Sequence, residues 1–165
     1  MSTTTPLLFR VAGPSNSGKT TWLLDLVQHL KTKDINVATI KHSHHNLDVL
    51  PDKDGHQLGR LAPNLTVGQD RLIFDQPIDA PPNLFDLVNR FYIDFDLVLV
   101  EGWRGEDIPT LLIADPPDDW TVPQGIIARS SVVQSSDYED LPIWSVVDVG
   151  NWLFWNALGI TDVSY

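Results

Sequence analysis

Short apolar runs punctuate this chain, and most lack the polar alternation of a strand with one wet face. Leu7–Ala12, Val37–Ile40, Thr66–Val67 with Leu72–Phe74, Leu97–Val100, Thr110–Ala114, Gly125–Ala128 and Trp144–Val147 read as strands. Near-continuous apolar character is what strands covered on both faces of a parallel sheet require. Helical spacing of apolar positions falls at Lys19–Lys31, around Asn83–Phe91 behind Pro81-Pro82, and at Val149–Leu158 with its Trp152, Phe154 and Trp155. Strands alternating with helices predict an α/β fold: a three-layer, doubly wound, mostly parallel sheet with helices on both faces. Two stretches break the rhythm. His42–Pro63 is polar and rich in Asp, Gly and Pro, and reads as a long loop of the kind that often carries function. Asp115-Pro116-Pro117-Asp118-Asp119 reads as a second surface loop. With no internal repeat and no long linker, residues 1–165 read as one domain, with residues 1–6 a flexible N-terminus.

Between the first strand and the first helix stands Gly13-Pro14-Ser15-Asn16-Ser17-Gly18-Lys19-Thr20, a complete G-x-x-x-x-G-K-[ST] pattern. Strand, glycine loop, helix is the context that gives this motif its meaning, and it makes the fold a P-loop nucleotide-binding one. Gly13 and Gly18 permit backbone dihedrals that residues with a Cβ avoid. The chain can then wrap so that the N–H groups of residues such as Ser15, Asn16, Ser17, Gly18, Thr20 and Thr21 face an anion, helped by the partial positive charge of the helix N-terminus. In this pattern Lys19 reaches the β- and γ-phosphates and the Thr20 hydroxyl ligates Mg²⁺.

Asp96-Leu97-Val98-Leu99-Val100-Glu101-Gly102 has the form of a second nucleotide-binding strand, four apolar residues ending in a carboxylate. Glu101 is expected near the Mg²⁺ and γ-phosphate, as a metal-linked or water-orienting group. Trp103 and Arg104 follow in a loop, where Arg104 either neutralises phosphate charge or is simply solvated. Trp103, Trp120, Trp152 and Trp155 are candidates for an interface or for core packing.

Lys41-His42-Ser43-His44-His45-Asn46-Leu47-Asp48 follows the second strand, and His56 lies further along. In an extended segment His42 and His44 share a face while His45 points away, which is not a ready tetrahedral metal set. With Lys41 beside them, a ligand-facing loop fits better, and Asp48, Asp52 and Asp54 add carboxylates to it. The [NT]-K-x-D guanine pattern is absent, since Thr32-Lys33-Asp34 has the wrong spacing. Base contacts are expected beyond the last apolar strands, near Arg129–Ser131, because ligands collect outside the carboxyl ends of such strands.

Composition narrows the partners. The 165 residues carry a net charge of −11, which disfavours broad binding to nucleic acid or anionic membranes. An anionic nucleotide must therefore be held by a local site. Cysteine is absent, so disulfides and thiolate metal sites are excluded. The first residues show no basic segment followed by an apolar one, and no run has the length of a membrane span, so a cytoplasmic protein is expected.

Gly13–Thr21, Ile40-Lys41-His42-Ser43-His44-His45, Lys53-Asp54 and Asp96–Trp103, in this order, resemble the molybdopterin-guanine dinucleotide biosynthesis protein B (MobB) family. The resemblance covers roughly residues 7–115. It implies a GTP-binding homodimer with weak, Mg²⁺-dependent GTPase activity, an accessory to the guanylyltransferase that joins GMP to molybdopterin in molybdenum cofactor biosynthesis. It extends to molybdoenzyme-maturation proteins as further partners. By position it implies that Asn16 to Thr21 bind phosphates and Thr20 binds Mg²⁺. Lys41, His42, His44 and His45 belong to the ligand-facing segment, and Glu101 is the active-site carboxylate. The chain departs from the family pattern at Leu50, across Asp52-Lys53-Asp54-Gly55, and at Leu61-Ala62-Pro63. Competing readings are a small-molecule kinase, a nucleotide-gated metal-insertion chaperone and an adaptor with negligible turnover.

Overall fold

A computed structural model of the chain describes residues 5–43 and 57–159. The elements run β1 (Leu7–Ala12), α1 (Lys19–Lys31), β2 (Val37–Lys41), β3 (Asn64–Val67), β4 (Leu72–Asp75), α2 (Leu84–Phe91), β5 (Leu97–Glu101), β6 (Thr110–Leu112), β7 (Ile126–Arg129) and α3 (Val146–Ala157), with a 3-10 turn at Ser136–Tyr138 before the last helix. The backbone divides into two compact units, residues 43–83 forming one and the rest of the chain the other.

The larger unit is built on a five-stranded parallel sheet in the order β2-β5-β1-β6-β7. Alternation along β1 and β5 sends side chains to two faces, and both are covered. Phe9, Val11, Leu97 and Leu99 pack with Leu23, Leu26 and Leu30 of α1 and with Val149 and Leu153 of α3. Leu8, Val98 and Val100 pack on the opposite face with Leu84 and Val88 of α2. Helix, sheet and helix layers follow, and the unbroken apolar character of β5 is explained, since all five of its residues are buried. Trp152 joins this packing through Phe9 and Trp144, with ring centroids 5.7 and 5.9 Å away. Among the described residues no helix is long and apolar enough to cross a membrane.

Two expectations need correction. Residues 144–147 are not a strand. Ile143 makes a single parallel bridge to Arg129, and helix α3 already begins at Val146. Ser145 and Asp148 form a reciprocal capping box, which satisfies amides at the helix start and outweighs the strand propensity of Trp144, Val146 and Val147. The apolar segments near 66 and 73 do form strands, but β3 and β4 pair with each other in an antiparallel hairpin and not with the main sheet. Their register sets Leu65 opposite Phe74 and Val67 opposite Leu72, and all four are exposed on one face of the hairpin. Within the expected long loop, residues 57–59 are helical, while residues 44–56 lie outside the described residues.

Candidate functional site

The glycine loop leaves β1 at Gly13 and enters α1 at Lys19. A Cβ on Gly13 would stand 2.6 Å from Ser17 Oγ and 3.1 Å from Ile113, so glycine lets the loop close on itself there without displacing the Ser17 hydroxyl. Gly18 holds φ +91° at the helix N-cap with open space around it, so its requirement is conformational and not steric. Asn16 also takes a left-handed φ of 61°, which Asn tolerates better than most residues. The start of α1 has no side-chain cap and no acidic residue in its first turn. Its amides and its dipole are therefore left to an anion. Ser17 Oγ is buried with no hydrogen-bond partner among the described residues, a polar atom held inside the loop. The Lys19 ammonium donates to the Pro14 carbonyl at 2.6 Å, which lays it along the loop.

Because β5 is the neighbour of β1, its terminal carboxylate arrives beside the loop. Glu101 is buried. The Thr20 hydroxyl donates toward its Oε2 at 3.5 Å, and Lys41 Nζ lies 3.2 Å from its Oε1. Lys41 gets there through the parallel register that pairs it with Glu101 across β2 and β5. Burial pushes the Lys19 ammonium below its usual range; Glu101 opposes that shift, and Lys41 and Arg104 add to it. Three cations and one carboxylate thus share one field, a local positive site in a chain of net charge −11.

Beyond Glu101 the backbone turns sharply, with φ 101° at Gly102 and 47° at Trp103. A Cβ on Gly102 would meet His42 Cβ at 2.7 Å, so glycine allows the two strand ends to stay close. His42 donates its amide to the Glu101 carbonyl at 2.8 Å and sets its ring 4.9 Å from that of Trp103, tilted at 45°. Arg104 is neither free nor buried. Its guanidinium lies over the Trp120 ring at 5.0 Å and reaches the Thr121 carbonyl at 3.5 Å.

The structure therefore brings Lys19, Thr20, Lys41 and Glu101 together at the carboxyl end of the sheet, with His42 at its edge and Arg104 three residues past Glu101 in the loop that follows β5. His44, His45 and Asp54 lie outside the described residues. No group of three or more histidine or acidic side chains suited to a metal occurs among the described residues. At the expected base-facing segment, Ser130 donates to the Ile113 carbonyl at 2.9 Å and Arg129 Nη1 to the Val133 carbonyl at 2.8 Å. Both side chains thus brace the end of β7.

Arg10 escaped the sequence reading, which absorbed it into a buried strand. It is fully buried in β1 and holds the loops after β5 and β6. Its signal was present: one permanent charge amid five apolar residues. In the sequence Trp120 is one aromatic among several, and its pairing with Arg104 depends on two loops meeting.

The model of the family described as molybdopterin guanine dinucleotide synthesis protein B matches residues 8–123. The molybdopterin-guanine dinucleotide biosynthesis adapter protein of Escherichia coli K12 is 32% identical over 137 residues, covering 76% of this chain and 78% of that one. Its Haemophilus influenzae counterpart is 37% identical over 119 residues, covering 68% of this chain, which spans 65% of that relative's length. Among solved structures, a crystal structure of molybdopterin-guanine biosynthesis protein B superposes with a TM-score of 0.68 at 21% identity, over 92% of this chain and 98% of that one. The MobB homologue from Bacillus stearothermophilus gives 0.63 at 20% identity, over 93% and 97%. These likenesses agree with the parallel three-layer fold, and the sequence matches agree with the segments that build the site. The chain belongs to the molybdopterin guanine dinucleotide synthesis protein B family.

Proposed function

We propose that this protein binds GTP with Mg²⁺ and serves as an adaptor with weak GTPase activity in the attachment of guanine nucleotide to molybdopterin. The carrying observation is the glycine loop over an uncapped helix start, with Lys19 laid along it and the Thr20–Glu101 pair beside it. Backbone amides and Lys19 hold the phosphates, and Arg104 neutralises charge at the terminal one. Thr20 and Glu101 would hold Mg²⁺, for which a hydroxyl and a carboxylate are suitable hard oxygen donors. When bound, Mg²⁺ neutralises charge on the phosphate oxygens.

Glu101 orients the attacking water. One of its carboxylate oxygens is already engaged by Lys41 at 3.2 Å, which fits slow turnover. The partners of this reading are the molybdopterin guanylyltransferase and molybdoenzyme-maturation proteins, in the cytoplasm. The assembly is a homodimer, supported by the apolar surface that Leu65, Val67 and Leu72 expose on the hairpin.

Calorimetric titration with GTP and ATP analogues in Mg²⁺, alongside Lys19→Ala, tests the central part. Tight guanine-nucleotide binding lost in the variant is expected. Preference for ATP would turn the reading toward a kinase, and no binding of either nucleotide by the parent protein would overturn it.

A further inference from the structure

Burying a guanidinium is costly unless its donors and charge are well matched. Arg10 has no exposed surface, yet an apolar residue would suit the surrounding strand. Its donors are matched in a particular way. Nε donates to Thr110 Oγ1 at 3.0 Å. Nη1 donates to the carbonyls of Trp103 and Glu106, and Nη2 to that of Gln124. Thr110 is itself braced, donating its hydroxyl to the Ile108 carbonyl at 2.7 Å. Burial lowers the guanidinium's proton affinity, and the nearby Glu106 and Asp107 oppose this, so the group stays charged.

Three of those acceptors are backbone carbonyls from two loops, those after β5 and after β6. The same two loops are joined a second time by Arg104, which leaves the first loop to cover Trp120 and reach Thr121 in the second. The Trp103 carbonyl belongs to the peptide that leads into Arg104. It follows two consecutive left-handed residues, where the chain would otherwise have several ways to turn. A planar five-donor fork is the side chain that can fix such a set of carbonyls at once.

We propose that Arg10 is a positioning residue: by gripping the carbonyls of Trp103, Glu106 and Gln124 it fixes the two loops so that Arg104 is held beside the phosphate loop, where it favours a triphosphate over a diphosphate. This rests on the reading of that loop as a GTP site.

The test is a mutant cycle read as the ratio of GTP to GDP affinity. Arg10→Met, Arg104→Ala and the double variant are titrated with each nucleotide in Mg²⁺, with folding followed by circular dichroism and urea unfolding. A merely structural role would weaken both nucleotides together or lower stability, and leave the ratio alone. The expected result is that Arg10→Met lowers the ratio about tenfold, the scale of one charge-assisted hydrogen bond. Arg104→Ala does the same, and the double variant falls no further than Arg104→Ala. Should Arg10→Met not fold, Arg10→Lys keeps the charge but donates from a single nitrogen in place of three, and is expected to lower the ratio by a smaller factor. A folded Arg10 variant with the parent ratio, or effects that multiply in the double variant, overturns the proposal alone. A parent protein that binds neither nucleotide overturns the site reading with it.

Discussion

Lys41 and Glu101 face each other in the parallel register of β2 and β5, and their side chains close an ion pair of 3.2 Å at the end of those strands. The pair is asymmetric. The Lys41 side chain is 58% exposed and that of Glu101 only 11%. Solvent screens the lysine, so the pair contributes little to stability, while the charge remains available to a ligand. It also ties the strand bearing the lysine–histidine segment to the carboxylate beside the phosphate loop.

Lys41→Met is therefore expected to change unfolding free energy by less than about 1 kcal/mol and to weaken GTP binding by about tenfold through the lost charge. Urea unfolding and calorimetry on the same samples check both. A large stability loss with unchanged affinity would make the pair structural.

Lys19 carries a cost that a phosphate would relieve. Its folded pKa is lowered from the ordinary 10.5, chiefly by burial. Between the folded and unfolded values the unfolded chain binds more protons, so stability rises with pH across that window. Below it the charged lysine carries a constant penalty. Lys19→Met should accordingly raise the urea midpoint of the nucleotide-free protein at neutral pH, and the gain should disappear as pH rises through the folded value toward 10.5. The same variant should lose nucleotide binding. A midpoint lower than the parent's at pH 7 would contradict this account.

The start of α3 offers a test away from the site. Ser145 donates its amide and hydroxyl to Asp148 Oδ2 at 2.8 and 2.7 Å, and accepts from the Asp148 amide at 3.3 Å. Ser145→Ala should cost about 1 kcal/mol at pH 7. The hydrogen bonds from Ser145 hold the Asp148 carboxyl below its ordinary 3.8. That stabilisation is present above 3.8 and is lost as pH falls through the folded value. The gap between parent and variant should thus narrow in acid. An equal gap at pH 7 and in acid would remove Asp148 from the explanation.

Helices α1 and α3 approach closely where Gly150 meets His29. A Cβ on Gly150 would lie 2.2 Å from His29 Cδ2, and His29 Nε2 is buried with no hydrogen-bond partner among the described residues. Gly150→Ala should cost about 1–3 kcal/mol by overpacking, and much of that should return in a His29→Ala background. Thermal unfolding of the two singles and the double measures the coupling, and additive losses would show that the ring is not the obstacle.

What was legible in the chain is what is local. The glycine loop is eight consecutive residues whose conformation is set by Gly13, Gly18 and their neighbours. The buried strands announce themselves because an all-apolar run has nowhere else to go but a sheet covered on both faces. Even the one misread strand carried its correction locally: Ser145 and Asp148 stand at capping-box spacing, and the apolar weight of Trp144, Val146 and Val147 obscured it.

Tertiary structure decided the rest. Strand order placed β5 between β1 and β2, and so set Glu101 beside both Thr20, 81 residues away, and Lys41. It turned Arg10 from an anomaly in an apolar strand into the anchor of two loops, and it set β3 and β4 apart as a hairpin within a unit of their own. The physical reason is one of range. Dihedral preference, capping and side-chain alternation act within a few residues, where sequence spacing is spatial spacing. Which strands become neighbours depends on burying two faces of a sheet at once, and no short stretch of the chain carries that information.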